Sequence, residues 1–215
     1  MKPWKTRREV KGISFSSRTL LGKSGFGSVF DGHINFKDNS RQRIAVKKFH
    51  KPLSAEQVNA YERTIQDLRE AGIPLPKMGF IEKNGEWIQA MQLFTEKRGK
   101  ETKSKLFPLH EITKHPERKK LVKELLELTA KTVNAGYPPA FDLFNLIKTE
   151  KGFGVIPFDL DNIINFKGNQ EVIQGRLRVM IGNLELSKQE IDFLASRIKD
   201  KKIQEYALQQ WGLLK

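Results

Sequence analysis

The hydrophobic pattern divides the chain into a β-rich part over residues 20–94 and a helical part after it. Residues 20–36 combine glycines with β-forming residues, and residues 43–49 read as a strand with an apolar centre. Residues 77–82 and 87–94 predict two strands joined at Asn84-Gly85, a pair typical of a tight β-hairpin. We therefore expect a sheet in the first part of the chain.

One helix is predicted inside the β-rich part. Residues 54–57 form a capping box, and the helix should stop near Gly72. Its buried face is predicted from residues at helical spacing: Val58, Tyr61, Ile65 and Leu68. Glu62 lies on the same stripe, where a carboxylate is costly to bury unless a cation meets it. Lys47 is the predicted partner, and a solvent-exposed Glu62 is the alternative.

The remainder of the chain predicts helices. Residues 116–134 carry one apolar face, made by Leu121, Leu125, Leu128 and Thr132, and Gly136 marks the expected stop. A second capping box at 187–190 opens another helix. A last helix should bury Ile203, Tyr206, Ala207 and Trp211. We find no internal repeat, and the change from strands to a charged loop places the lobe boundary within 95–105.

Composition narrows the classes of protein. The chain has 215 residues, enough for one domain or two small lobes, and its lack of cysteine excludes disulfides and thiolate metal sites. No apolar run approaches the roughly 18 to 20 residues of a membrane span, and residues 1–8 lack the apolar segment of a signal peptide. We therefore expect a soluble protein that is not exported by the general secretory route.

The net charge of +14 favours an acidic or polyanionic partner. The charge is dispersed, with denser patches at 97–105, 118–123 and 197–202, and aromatic residues do not interleave with these patches as they do on single-strand-binding surfaces. A solvated basic face is thus favoured. A nucleic-acid-binding domain is one alternative for the function, but it is supported by the charge alone.

A glycine-rich segment carries the first chemical signal. Residues 21–29 read LGKSGFGSV, and residues 44–47 read IAVK one hairpin further on. Glycines allow backbone N–H groups to approach phosphate oxygens, and consecutive N–H groups form an anion-binding concavity. A lysine on the adjacent strand supplies a movable positive charge for phosphate. The pattern predicts a nucleotide-covering loop with Lys47 as its phosphate lysine, and an ordinary glycine hairpin is the alternative.

The second chemical signal lies after the long predicted helix. Residues 140–147 read AFDLFNLI, a turn follows at Gly152, and residues 155–163 read VIPFDLDNI. The order of glycine loop, strand lysine, helix glutamate, hairpin, long helix, Asp with Asn, turn and Asp resembles the protein-kinase fold over residues 20–165. The resemblance implies an α+β bilobal fold, with a β-rich N-lobe containing one helix and a truncated helical C-lobe. The implied organisation is an N-terminal extension 1–19, an N-lobe 20–95 and a C-lobe 96–215.

The resemblance also implies roles for individual residues, with ATP and Mg²⁺ as substrate and cofactor. Lys47 would contact the α- and β-phosphates and pair with Glu62. Asp142 would orient the substrate hydroxyl and accept its proton. Asn145 and Asp159 would hold the metal, with Asp161 as the rival carboxylate. The implied nucleotide-binding residues are Gly22, Ser24, Gly25, Phe26, Gly27, Val29, Ala45, Lys47, Met91 and Leu93, with Met91 behind the adenine and 92–94 as the hinge.

The sequence departs from the family pattern at two places. Ser24 replaces the middle glycine of the loop, and Ala140-Phe141-Asp142 stands in place of His-Arg-Asp. Asn145 follows Asp142 two residues sooner than in most kinases. The register with Asp142 as the base keeps Asp-Leu. The alternative register keeps the spacing to Asn145, puts Ala140 at the base position and leaves the base missing.

The short segment after Asp159 narrows the resemblance. Fifty-six residues follow Asp159 (215 − 159), and such a small C-lobe resembles the minimal kinases that pathogenic bacteria inject by type III secretion. Residues 159–163 resemble the Asp-Phe-Arg-Asn-Ile segment of the ubiquitin-dependent OspG-type members, and HopBF-type members are an equal alternative. The expectation is a Ser/Thr protein kinase, a virulence effector in the host cytoplasm. Its partner would be a heat-shock chaperone as substrate or a ubiquitin-charged conjugating enzyme as activator. The alternative is a pseudokinase that binds nucleotide or a host protein.

Overall fold

The structure, a computed structural model, describes residues 9–98 and 101–213. It is a mixed α+β fold with a five-stranded antiparallel sheet and several helices. The chain forms two compact units, which we describe separately. The first comprises Met1–Glu62 and Pro76–Phe94, and the second comprises Arg63–Leu75 and Thr95–Lys215.

The first unit is built on a sheet with strand order β1-β2-β3-β5-β4, in which neighbouring strands are antiparallel. The strands are β1 (Val10–Lys23), β2 (Gly27–Phe36), β3 (Arg41–Phe49), β4 (Met78–Lys83) and β5 (Glu86–Met91). Because side chains alternate between the two faces of a strand, one face can be apolar while the other carries polar groups. A buried cluster occupies one face and consists of Ile13, Ile34, Phe36, Ile44, Val46, Ile88 and Ala90.

The start of the sheet differs from the sequence prediction. Residues 1–19 were expected to be an extension, but β1 begins at Val10 and Ile13 belongs to the buried cluster. The alternation over residues 10–15 is interrupted by Gly12, and the pairing with β2 shifts register there and again before Leu20. Because of these irregularities, the sequence of β1 lacks the regular polar and apolar alternation that would predict a strand. Residues 1–8 lie outside the described part of the chain.

The predicted hairpin at Asn84-Gly85 is confirmed. β4 and β5 pair up to Lys83 and Glu86, so the connection has two residues. Asn84 and Gly85 have φ values of 53° and 77°. A tight turn with positive φ at both central positions matches the right-handed twist of the strands, which explains why Asn and Gly stand there.

Helix α1 (Ala55–Glu70) also forms where the sequence predicts it, and its residues are divided between the two units. Ser54 N donates to Gln57 Oε1 at 2.8 Å and Gln57 N donates to Ser54 Oγ at 3.2 Å, which confirms the capping box. The four predicted apolar positions, Val58, Tyr61, Ile65 and Leu68, are all buried.

Within the described ranges, the second unit has two small sheets and four further α-helices. The strands are β6 (Thr95–Arg98), β7 (Glu101–Ser104), β8 (Leu106–Pro108), β9 (Phe144–Thr149) and β10 (Gly152–Pro157). β6 pairs with β7, and the other three strands form a sheet in the order β10-β9-β8. The helices are α2 (Arg118–Asn134), α3 (Gln170–Asn183), α4 (Lys188–Ala195) and α5 (Lys201–Leu213).

Two helix ends in this unit confirm local predictions. α2 ends at Asn134, and Gly136, just beyond its C-cap Ala135, has a φ of +86°, a left-handed conformation that glycine adopts without a steric penalty. Ser187 and Glu190 form both hydrogen bonds of the capping box that opens α4. α3 and the β6–β7 hairpin were not predicted. β6 (TEKR) and β7 (ETKS) contain no apolar residue, so hydrophobic periodicity cannot reveal them. α3 nevertheless has an N-cap, since the side chain of Asn169 accepts from Val172 N at 3.1 Å.

Two expectations concern residues whose side chains are not described or are described only in part. The Trp211 side chain and most side chains of the basic patch at 97–105 lie outside the described part, whereas Ile203 and Ala207 are buried in α5 as predicted. No helix within the described ranges combines the length and apolarity that crossing a bilayer requires.

Candidate functional site

The candidate phosphate lysine, Lys47, lies in the middle of the first unit's sheet. On β3 it is flanked in register by Val29 of β2 and Gln89 of β5. Ala45, two residues earlier on β3, is paired with Met91. Direct partners and residues two apart share a face. Val29, Ala45, Lys47 and Met91, which the sequence assigned to nucleotide binding, therefore lie on one face, opposite the buried apolar cluster.

Lys47 is nearly inaccessible, with 4% of its surface exposed. Its ammonium lies 5.5 Å from the centroid of the Phe49 ring, a cation–π distance. Phe49 packs in turn against Tyr61 of α1 at 5.8 Å and against Phe80 of β4 at 6.4 Å. A buried ammonium is costly unless charged or polar groups meet it. Lys47 therefore remains a candidate for the functional cation that the sequence predicts.

Gln89 is a site residue that the sequence analysis missed. It is the cross-strand partner of Lys47 on β5 and is only 3% exposed. Its Nε2 lies 4.0 Å from Met78 Sδ. The available signal was a polar residue inside the strand 86–91. Strand alternation alone would place such a side chain on a solvent-exposed face, so the sequence did not predict its burial.

The glycine-rich segment forms the turn between β1 and β2. Gly27 is required for packing, because a Cβ there would lie 2.5 Å from Lys48 O on β3. At Gly22 and Gly25 the position of a Cβ is open, with nothing within 4 Å. Phe26 projects from the turn and is 47% exposed. The loop thus has a free side against which an external group can be placed.

The predicted hinge follows β5. Met91 is buried, Gln92 is exposed and Leu93 is half-buried. Gln92 N donates to Lys77 O at 2.7 Å, which continues the β4–β5 pairing by one step. Leu93 remains a candidate contact for an adenine ring on its half-buried surface.

The predicted Lys47–Glu62 ion pair is wrong in this structure. Glu62 is exposed, although Val58 and Tyr61 beside it are buried. The structure therefore agrees with the alternative, a solvent-exposed Glu62. The physical reason is the position of Glu62 on the helix. It directly follows Tyr61, so it points about 100° away from that buried side chain.

Asp142 lies in the second unit, in a 3-10 turn (Phe141–Leu143) before β9. Its side chain is exposed, and its Oδ2 accepts a hydrogen bond from Nδ2 of Asn162. Ala140, the residue at the base position in the alternative register, is fully buried. Asn162 was not predicted as a site residue, and it connects the turn of Asp142 to the segment that contains both metal-binding candidates.

The metal-binding candidates are adjacent to this turn. Asn145 is half-buried on β9, opposite Ile156 of β10. Just after β10 ends, Phe158 N donates a hydrogen bond to Leu143 O at 2.6 Å. Asp159 is half-buried, and its Oδ1 accepts from Asp161 N at 3.2 Å. Asp161 is 7% exposed. The hairpin therefore brings the segment of Asp159 back beside the segment of Asp142.

The chemistry of these donors fits Mg²⁺, which prefers one or two carboxylates together with phosphate and water oxygens. Asp159, Asp161 and the amide oxygen of Asn145 are all oxygen donors. Among the described residues, no group of three or more His, Cys, Asp or Glu side chains forms a metal cluster. A cation at this place would accordingly depend on Asn145 and on ligand oxygens for the rest of its coordination.

A polar cluster supports the segment that leads to Asp142. The Tyr137 hydroxyl donates to Asp67 Oδ2 at 2.6 Å, and Lys167 Nζ donates to the same oxygen at 2.7 Å. Burial, together with the bond to Asp67, raises the pKa of Tyr137 to about 12. Burial acts to raise the pKa of Asp67, but the bonds from Lys167 and Tyr137 outweigh it and lower that pKa. Through Tyr137, the cluster anchors the start of the segment 138–142, which leads to Asp142.

Comparison with protein-family models and with curated proteins finds no match to this chain. The assignment of the site therefore rests on the residues and their geometry.

Proposed function

We propose that this protein is an ATP-dependent Ser/Thr protein kinase of the minimal, bilobal type, with Mg²⁺ as its cofactor. The observation that carries the proposal is the placement of Lys47. It is almost fully buried on the sheet face that also holds Val29, Ala45 and Met91. Those are the residue types that a phosphate lysine and an adenine surface require, and the glycine-rich turn leads directly into β2, the strand of Val29.

Phosphoryl transfer needs positioning and positive charge more than covalent chemistry. In the proposed reaction Lys47 contacts the α- and β-phosphates, and backbone N–H groups of residues 25–27 contact the phosphate oxygens. Mg²⁺, held by Asn145 and by Asp159 or Asp161, would neutralise charge on the transferred group. Asp142 orients the hydroxyl of the substrate and accepts its proton, and Asn162 fixes the Asp142 carboxylate in turn.

The proposed setting is a host cell into which bacteria secrete this protein, with a host protein as substrate. The net charge of +14 supports an acidic partner. A heat-shock chaperone as substrate and a ubiquitin-charged conjugating enzyme as activator are the two partner proposals. They predict different behaviour, because an activator-dependent kinase transfers phosphate slowly until host factors are added.

A second candidate is a pseudokinase that binds nucleotide or a partner protein without efficient transfer. Two observations favour it. Ala140 occupies the base position in one of the two registers and is buried. Asp142 already accepts a hydrogen bond from Asn162 at Oδ2, so only part of its acceptor capacity is left for a substrate hydroxyl.

The test is transfer from γ-labelled Mg²⁺-ATP to the protein itself and to eukaryotic lysate, comparing wild type with Lys47→Ala. The kinase proposal predicts labelled serine or threonine with wild type only. Nucleotide binding without label, with or without lysate, would favour the pseudokinase. Absence of both binding and transfer would overturn the kinase and the nucleotide-binding form of the pseudokinase.

A further inference from the structure

The glycine-rich turn is closed by one of its own side chains. Ser24 Oγ accepts hydrogen bonds from Phe26 N and from Gly27 N, each at 3.2 Å. Ser24 N donates to Gly27 O at 2.8 Å. The hydroxyl of Ser24 therefore lies where the N–H groups of the turn converge.

His50, which directly follows β3, contacts the backbone on the other side of the turn. His50 N donates to Phe26 O at 2.9 Å, and His50 Nε2 lies 3.1 Å from Ser24 O. Both contacts use carbonyl oxygens of the loop. Two backbone acceptors of the loop are thus engaged by His50, which directly follows β3, and two of its backbone donors are engaged by Ser24.

We propose that Ser24 is an internal competitor for the phosphate groups of the nucleotide. This inference rests on the proposed function and deepens it, since it concerns the same loop. The N–H groups of Phe26 and Gly27 cannot donate fully to a phosphate oxygen while Ser24 Oγ accepts from them. Nucleotide binding consequently exchanges a neutral hydroxyl acceptor for a charged phosphate oxygen.

The exchange is feasible on chemical and steric grounds. Hydrogen bonds to an ionised acceptor are about twice as strong as neutral ones, so phosphate displaces the hydroxyl. Ser24 is exposed and can turn its side chain to solvent, and the space beside Gly25 is open. The two bonds from Phe26 N and Gly27 N share one acceptor atom, so we count them together as one neutral hydrogen bond, whose net value corresponds to roughly a 2- to 10-fold change in an equilibrium constant. That range is the reduction in nucleotide affinity that we assign to Ser24.

The experiment measures the affinity of adenosine, ADP and Mg²⁺-ATP for wild type and three variants by calorimetry. Ser24→Ala removes the competing hydroxyl, Ser24→Thr keeps it, and Ser28→Ala removes a hydroxyl from the neighbouring strand position as a matched control. Thermal melting of each variant checks that it is folded. We expect Ser24→Ala to bind ADP and ATP about 2- to 10-fold more tightly, with adenosine affinity unchanged. Ser24→Thr and Ser28→Ala should resemble wild type.

The outcomes separate the two claims. If wild type binds ATP but Ser24→Ala binds it equally or more weakly, the competition is wrong and the proposed function stands. An equal gain for adenosine and ATP would also overturn it, because the effect would not act through phosphate. If no folded variant binds any of the three compounds, both the competition and nucleotide-dependent function are wrong.

Discussion

Val29 of β2 and Lys47 of β3 are direct cross-strand partners, so the residue that follows the glycine-rich turn and the candidate phosphate lysine lie side by side on one face. They are 18 positions apart in the sequence (47 − 29), and the antiparallel pairing of β2 with β3 brings them side by side. The arrangement gives a physical reason for reading both segments as one site. Because neighbouring side chains of a strand point to opposite faces, Lys48, the next residue, lies on the other face, and it is exposed there.

Lys47→Ala is expected to abolish phosphate transfer and to weaken ATP binding, because the phosphates lose their point charge. Lys48→Ala is the matched control. Lys48 forms an ion pair with Glu86 at 2.8 Å, and both side chains are nearly half exposed, so its loss should change stability by less than about 1 kcal/mol. Transfer rates and melting temperatures of both variants provide the check. Wild-type transfer by a folded Lys47→Ala would remove the lysine from the site.

Glu62→Ala is expected to leave ATP affinity and transfer within about twofold of wild type, as for most surface substitutions. The side chain is exposed, so we do not expect it to orient Lys47 or to contact the phosphates. Titration of wild type and variant with Mg²⁺-ATP measures the effect. A strong loss in both quantities would mean that α1 turns Glu62 toward the nucleotide when ligand is bound.

Asp159→Asn and Asp161→Asn test which carboxylate holds Mg²⁺. We expect Asp159→Asn to abolish transfer and to leave metal-free nucleotide binding unchanged, because only the metal-dependent part of binding uses this group. Asp161 is buried, so Asp161→Asn also reports on folding through its melting temperature. Binding measured with and without Mg²⁺ separates the two effects. An active Asp159→Asn beside an inactive, folded Asp161→Asn would reassign the ligand to Asp161.

Asp142→Asn is expected to keep nucleotide affinity and to lose about 10²- to 10⁴-fold in turnover, the usual contribution of a positioned general base. Ala140→Asp is the comparison for the alternative register. If Ala140 stands at the base position, Asp142→Asn will change little and Ala140→Asp will raise a slow wild-type rate. Turnover and affinity measured on the same samples decide between the registers.

The Asp67 cluster predicts a pH-dependent contribution to stability. The pKa of Asp67 is lowered, so its stabilisation is present above the ordinary carboxyl value of 3.8 and is lost as the pH falls through the lowered value. Asp67→Asn should destabilise the protein by about 1 kcal/mol at pH 7, and the difference from wild type should shrink below about pH 4. Glu70→Gln, an exposed position on the same helix, is the control. Equal loss at both pH values would show that the charge of Asp67 is not involved.

Local signals in the sequence predicted several elements correctly. Asn84-Gly85, the capping boxes at 54–57 and 187–190, and Gly136 each act within a few residues, so the chain reveals them directly. Strand β1 was placed too late, because its pairing depends on register shifts that have no local code. Helix α3 has apolar residues on a face that only the fold of the second unit covers.

Some residues of the candidate site could likewise be predicted from local signals, and others could not. Val29, Ala45, Lys47 and Met91 could be grouped from strand alternation and hairpin pairing. Glu62 could not be placed, because residues adjacent along a helix differ in direction by about 100° and the stripe was drawn too wide. Gln89, Asn162 and Tyr137 act through partners distant in sequence, Tyr137 through a residue 70 positions away.

The most direct measurement of the central claim follows the γ-phosphate itself. Wild type, Lys47→Ala and Asp159→Asn are incubated with γ-labelled Mg²⁺-ATP and eukaryotic lysate, and labelled residues are identified by mass spectrometry. The account predicts phosphoserine or phosphothreonine that appears with wild type, requires Mg²⁺ and is absent with both folded variants. Label that is equal in all three samples, or absent with wild type although it binds ATP, would contradict the assignment of a protein kinase.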